Sequence, residues 1–309
     1  MSKMRAARMH ADFELVTLQD PSSSLTATFV PAAGMVGTSL SDGGDEFLGQ
    51  RRGLDAYVTN GKTMGIPILY PWANRLSASE YESNGTAVTL TPGEGGVRAD
   101  DHGLPIHGVL AAYSGWLVTA RSQKSMTATL DFGEKPELLA SFPFPHVVTQ
   151  RITLADRTLA IETTVTPTAS APVPLCFGYH PYFTIPGVPR GQWRLTTPTM
   201  RHLSVDSRGI PTSENQPWSG SSEPLDSVTY DDGFDNVPDG ALFSLDGGDR
   251  RIDVKFETGY PAAQLFAPSS DDIIAIEPMA APTDSLRRGG YRSADPGKPA
   301  TARFSITVT

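Results

Sequence analysis

Three stretches of this 309-residue chain hold titratable side chains where strand or turn geometry would fix them. In Gly178-Tyr179-His180-Pro181-Tyr182-Phe183 a histidine lies among aromatics, and the proline after it biases His180 to an extended backbone. In Ile273-Ile274-Ala275-Ile276-Glu277-Pro278 a carboxylate ends an apolar run and again precedes a proline. The third stretch is Leu104-Pro105-Ile106-His107-Gly108, with His102 shortly before it and Trp116 after it. An imidazole and a carboxyl held still are the usual equipment of general acid–base chemistry. Each also has a plainer reading. His180 and His107 can be hydrogen-bonded structural residues, Glu277 can pair with Arg75, and Trp72 and Trp116 can be packing.

The elements that would position these groups read as strands. Leu159, Ile161, Thr163 and Val165 alternate with Ala160, Glu162, Thr164 and Thr166, and Ile252, Val254 and Phe256 alternate with Asp253, Lys255 and Glu257. Phe304, Ile306 and Val308 repeat the pattern, and a period of two puts each set on one face of a strand. Turn residues separate the runs: Asn84-Gly85, Asp156-Arg157 and Asp246-Gly247-Gly248-Asp249 each predict an antiparallel hairpin. No stretch of about 12 residues keeps a helical apolar stripe free of Pro and Gly, and a short turn around Pro136 to Ala140 is the best helix candidate. Strands without βαβ alternation, repeat or linker predict an all-β chain, a large antiparallel sandwich forming a single domain over 1–309.

Composition narrows the partners. With 25 Lys and Arg against 34 Asp and Glu the net charge is −9, and basic residues cluster only as the doublets Arg51-Arg52, Arg250-Arg251 and Arg287-Arg288. Little is there to neutralise a polyanion, so no nucleic acid is expected. The single Cys176 excludes an intramolecular disulfide framework and a multi-cysteine zinc site. Met1 to His10 is not followed by an apolar stretch of signal-peptide length, and the uncharged runs are too short or too broken by proline to span a bilayer. A cytoplasmic protein without membrane contact is expected.

Taken together, the motifs resemble the aldose 1-epimerase (galactose mutarotase) family, and in that family's order. Pro71-Trp72-Ala73-Asn74-Arg75-Leu76 is similar to its Asn-Arg segment, Ile106-His107-Gly108 to its first histidine motif, and Gly178 to Phe183 to its His-Pro-Tyr-Phe signature. Gly233-Phe234-Asp235-Asn236 resembles its Gly-aromatic-Asp segment, and Ile276-Glu277-Pro278 with Pro282 its Glu-Pro motif. Two segments depart: Asn236 stands where many galactose mutarotases have a histidine, and Asp101 to Pro105 lacks the Asn-rich form of that subgroup.

The resemblance implies a galactose-mutarotase-like antiparallel β-supersandwich, acting on a free aldohexose without cofactor or metal, as a monomer or homodimer. It implies His180 as general acid and Glu277 as general base, with Asn74, Arg75, His107 and Asp235 holding the sugar. Trp72, Tyr182 or Phe234 would offer a flat face to the ring, or else belong to the core. Three rivals stand beside it: an epimerase of a phosphorylated hexose, with Arg75 and Arg51 or Arg52 on the phosphate; a non-catalytic sugar-binding protein; and a glycoside hydrolase or lyase using Glu277 with Asp235.

Overall fold

Alternating side chains and tight turns build two large antiparallel sheets in the computed structural model, which describes residues 13–309. The segment Met1 to His10, read above for a signal peptide, lies outside the described residues. The Asp156-Arg157 turn joins His146–Ala155 to Thr158–Pro167, with both turn residues at positive φ as a two-residue hairpin of this kind requires. Asn84-Gly85 closes Glu80–Ser83 onto Thr86–Thr89, and Gly248-Asp249 closes Ala241–Gly247 onto Arg250–Thr258.

The first sheet has nine strands, with Thr158–Pro167, Ala300–Val308 and Arg250–Thr258 adjacent at its centre. Leu159, Ile161, Val165, Ile252, Val254, Phe256, Phe304, Ile306 and Val308 are all buried in one cluster, as the period of two predicts, while Ala160 and Ser305 on the opposite faces are buried as well. Burying such side chains stabilises by roughly 1.5–3 kcal/mol each. The second sheet has eight strands and carries the candidate site; along it run Met200–Val205, Tyr230–Asp235, Ala262–Ala267, Ile274–Met279 and Gly178–Tyr179 in spatial order. Tyr182–Phe183 pairs with Ile274–Met279 beside that path.

Helix is sparse, as the sequence suggests. The turn at Pro136–Leu139 is present, with Pro136 in its first turn, where a missing N–H does no harm. Two α-helices escaped sequence reading: Ser285–Arg288 is a single turn, and Gly53–Asn60 buries only Tyr57, so it shows no stripe long enough to register as a period. Among the described residues no helix is long and apolar enough to cross a membrane.

Candidate active site

Proline placement and strand register together make the site. Gly178 pairs with Met279 and Tyr182 with Ala275, so the same antiparallel register sets His180 across from Glu277. Pro181 and Pro278 lack N–H groups, and the ladder is interrupted between those two pairs. On the other side Glu277 faces Gln264, and Gln264 faces Gly233. One row across the sheet is therefore Gly233, Gln264, Glu277 and His180. Two residues along, Asp231, Phe266, Ala275 and Tyr182 form the next row on the same face. The two rows floor a cavity of about 170 Å³, walled by Asn74, Arg75 and His107.

Within it, His180 Nε2 lies 3.2 Å from Glu277 Oε1, both residues buried. Tyr182 stacks on the imidazole at 4.3 Å, and its hydroxyl lies 3.1 Å from His180 Nε2 and 2.6 Å from Thr63 Oγ1. Arg51 donates to the same hydroxyl at 3.2 Å. Glu277 Oε2, His180 Nδ1 and His107 Nδ1 are buried without a protein partner. Such atoms are costly to leave unpaired.

Burial sets the protonation of the pair. It pushes Glu277 well above the carboxylate range, with the Asp231 carboxylate adding to the rise and Arg75 opposing it. Burial also pushes His180 down to about 3, helped by Arg51. Burial thus favours the carboxylic acid on Glu277 and the neutral imidazole on His180, and the carboxyl proton is the one the pair can share. His107 is held well below the usual histidine range by burial, then by His180, and is neutral.

The loop residues are held by unusual backbone. Asn74 and His107 both have positive φ, 56° and 63°, and are tied by the His107 N–H donating to the Asn74 carbonyl at 2.9 Å. Such conformations are strained for residues with a Cβ and persist only where the surroundings impose them. Gly108 supplies the close approach: a Cβ there would sit 2.0 Å from the Tyr70 carbonyl oxygen.

Of the six residues proposed from sequence, the structure brings together Asn74, Arg75, His107, His180 and Glu277. Arg75 is not Glu277's ion-pair partner; it donates to Asp100 at 2.7 Å and to Asn74 at 3.2 Å. Asp235 is not in this cavity. Its strand neighbour across the register is Arg201, which grips it with two bonds of 2.6 and 2.5 Å, and it lines a separate groove. Asp231, four residues earlier on the same face, takes the place in the cavity and accepts from Gln264 at 2.8 Å. The strand alternation puts both carboxylates on one face and gives no means to choose between them. Gln264 and Phe266 were also missed; the signal for Gln264 is a lone amide in the apolar strand Ala262–Ala267. Trp72 and Phe234 are core, whereas Tyr182 lines the cavity. His102 is exposed. No group of three His, Cys, Asp or Glu able to hold a metal occurs among the described residues.

The pattern of the family described as Aldose 1-epimerase matches residues 14–307. Solved structures share the architecture over nearly the whole chain. A protein from Synechocystis sp. PCC 6803 is 21% identical with a TM-score of 0.77, each chain covered to 96%. A galactose mutarotase-like protein from Clostridium acetobutylicum is 17% identical with a TM-score of 0.80, covering 96% of this chain and 99% of that one. An aldose epimerase homologue from C. elegans has the same identity and coverages and a TM-score of 0.78. At these identities the likeness shows a galactose mutarotase-like fold. Among curated proteins none matches.

Proposed function

The chain belongs to the aldose 1-epimerase family, and from that premise we propose that it interconverts the α and β anomers of an aldohexose at the His180–Glu277 pair, within one domain. The observation that carries the reading is the 3.2 Å contact between these two buried groups. An anomer changes when the ring opens to the aldehyde, the C1–C2 bond rotates and the ring recloses. O1 and O5 are bonded to the same carbon, so the acid and the base must stand side by side at one edge of the ring.

Transfer of the shared proton from Glu277 to His180 along their contact gives carboxylate and imidazolium. Glu277 then takes the proton of the C1 hydroxyl. The O1–H electrons form the C1=O1 double bond, the C1–O5 bond breaks, and His180 delivers its proton to O5. The pair ends as carboxylic acid and imidazole, the state that burial favours. Reclosure on the other face of the aldehyde reverses each transfer. No proton from bulk water and no redox partner is consumed.

The other site residues have roles in this scheme. Tyr182 and Thr63 hold the imidazole edge, Gln264 links Glu277's neighbourhood to Asp231, and Asn74, Arg75 and His107 face the remaining hydroxyls. Asp235, held by Arg201, gives no support to a hydrolase that would use it with Glu277. The test is anomer exchange followed by NMR on a panel of neutral aldohexoses, against the enzyme-free rate. Acceleration that Glu277→Gln removes is the expected result; sugars that bind without accelerated exchange would leave a non-catalytic binding protein instead.

A further inference from the structure

The cavity over His180 and Glu277 shares His107, Ile106, Thr63 and Arg51 as walls with a second, larger cleft of about 640 Å³. At about 170 Å³ the first is smaller than ligand pockets generally are, roughly 300–1,000 Å³, and the second lies within that range. The cleft is lined by Arg51, Arg52, Lys62 and Arg98, and no carboxylate is among its lining residues. In a chain of net charge −9, four converging cations are a local reversal of sign.

These cations are incompletely neutralised. Arg52 and Lys62 are exposed and have no ion pair among the described residues. Arg51 pairs with the half-exposed Asp271 at 3.1 Å. Arg98 donates through Nη1 to the Gly61 carbonyl, while its Nε and Nη2 are buried with no partner. Those two N–H groups are closed off from solvent, so Arg98 serves the cleft through its charge. A guanidinium buried without a counter-charge is costly, and an anion close by in the cleft would offset that charge.

We infer that this cleft is an anion subsite, and that the aldose turned over at His180 and Glu277 carries an anionic group, phosphate or carboxylate, which Arg98, Arg52 and Lys62 bind. The inference rests on the reading of that pair as the site of anomer exchange. It reassigns the phosphate-type contact expected from sequence: Arg75, tied to Asp100, lies outside the cleft, and Arg98 takes its place. Arg51 and His107 border both spaces and join sugar site to anion site.

The experiment compares NMR anomer exchange of glucose, glucose 6-phosphate and glucuronate on the full chain. At least one anionic sugar should exceed glucose in kcat/KM by about tenfold or more at low salt, and the advantage should shrink as the Debye length falls from about 30 to about 3 Å. The phosphate and carboxylate arms tell which oxyanion is taken. In the double variant Arg52→Gln/Lys62→Gln, whose side chains are exposed and do not bear on folding, the anionic-to-neutral ratio should fall about tenfold; Arg98→Gln should lower it further. Equal turnover of all three sugars, or a preference that survives in these variants, overturns the anion subsite while leaving anomer exchange in place. Exchange of none of them overturns both.

Discussion

Acidification should destabilise this protein through one buried histidine that has no part in the site. His146 is fully enclosed, stacked on Phe132 at 4.6 Å, with Nδ1–H donating to the Phe144 carbonyl and Nε2 accepting from the Tyr70 hydroxyl. Burial pushes its pKa from 6.5 down to about 4. Below pH 6.5 the unfolded chain therefore takes up a proton that the folded chain refuses. Stability is lost as pH falls through that window and the loss levels off near pH 4. Each pH unit removes about 1.4 kcal/mol, hence roughly 3 kcal/mol over the window. The site pair adds less, because His180, lowered, and Glu277, raised, act in opposite directions, whereas His107, also lowered by burial, acts in the same sense as His146 and equally in wild type and in a His146 variant. The comparison is urea denaturation of wild type and His146→Phe across pH 7 to 4. The variant leaves the Tyr70 hydroxyl and the Phe144 carbonyl unpaired, so it should be less stable at pH 7 by about 1–3 kcal/mol. The two stability curves should then converge toward pH 4. Parallel curves would refute the claim that His146 is buried neutral.

Three further outcomes are expected. Gly108→Ala, with its Cβ forced against the Tyr70 carbonyl at positive φ, should cost at least about 2 kcal/mol in urea denaturation, and a loss below about 0.5 would contradict the close approach. Asp231→Asn removes a charge that raises Glu277, so loss of the shared proton, seen as the alkaline limb of kcat/KM, should move to lower pH; an unmoved limb would show that Asp231 does not act on the pair. Tyr182→Phe deletes the hydroxyl beside His180 Nε2, worth about 1 kcal/mol, so kcat/KM should fall about fivefold with the fold intact, and full activity would remove Tyr182 from the proposed site.

The hairpins were legible because their signals are local: Asp156-Arg157 and Asn84-Gly85 name their turns, and the flanking alternation names the buried face. His180 and Glu277 were legible because each precedes a proline, which marks an extended residue and a break in the ladder. Their contact is a matter of register, which no sequence spacing encodes. The same limit explains Asp235. It and Asp231 share a face, and only the partner across each one, Arg201 for the first and Phe266 for the second, decides which carboxylate is left for the cavity. Arg98 escaped notice because it lies alone in sequence among glycines, and its neighbours in the cleft, Arg52 and Lys62, come from either end of the helix Gly53–Asn60. That helix was itself too short to be read from its apolar pattern.

The most direct measurement of the central claim is a double-mutant cycle on anomer exchange, with Glu277→Gln, His180→Asn and both together, each checked for folding. Two groups that pass one proton between them act as a unit. Each single variant should lose about 10²–10⁴-fold in kcat/KM, and the double variant little more than either. Losses that multiply in the double variant, or a folded single variant within tenfold of wild type, would show that His180 and Glu277 are not the acid–base pair.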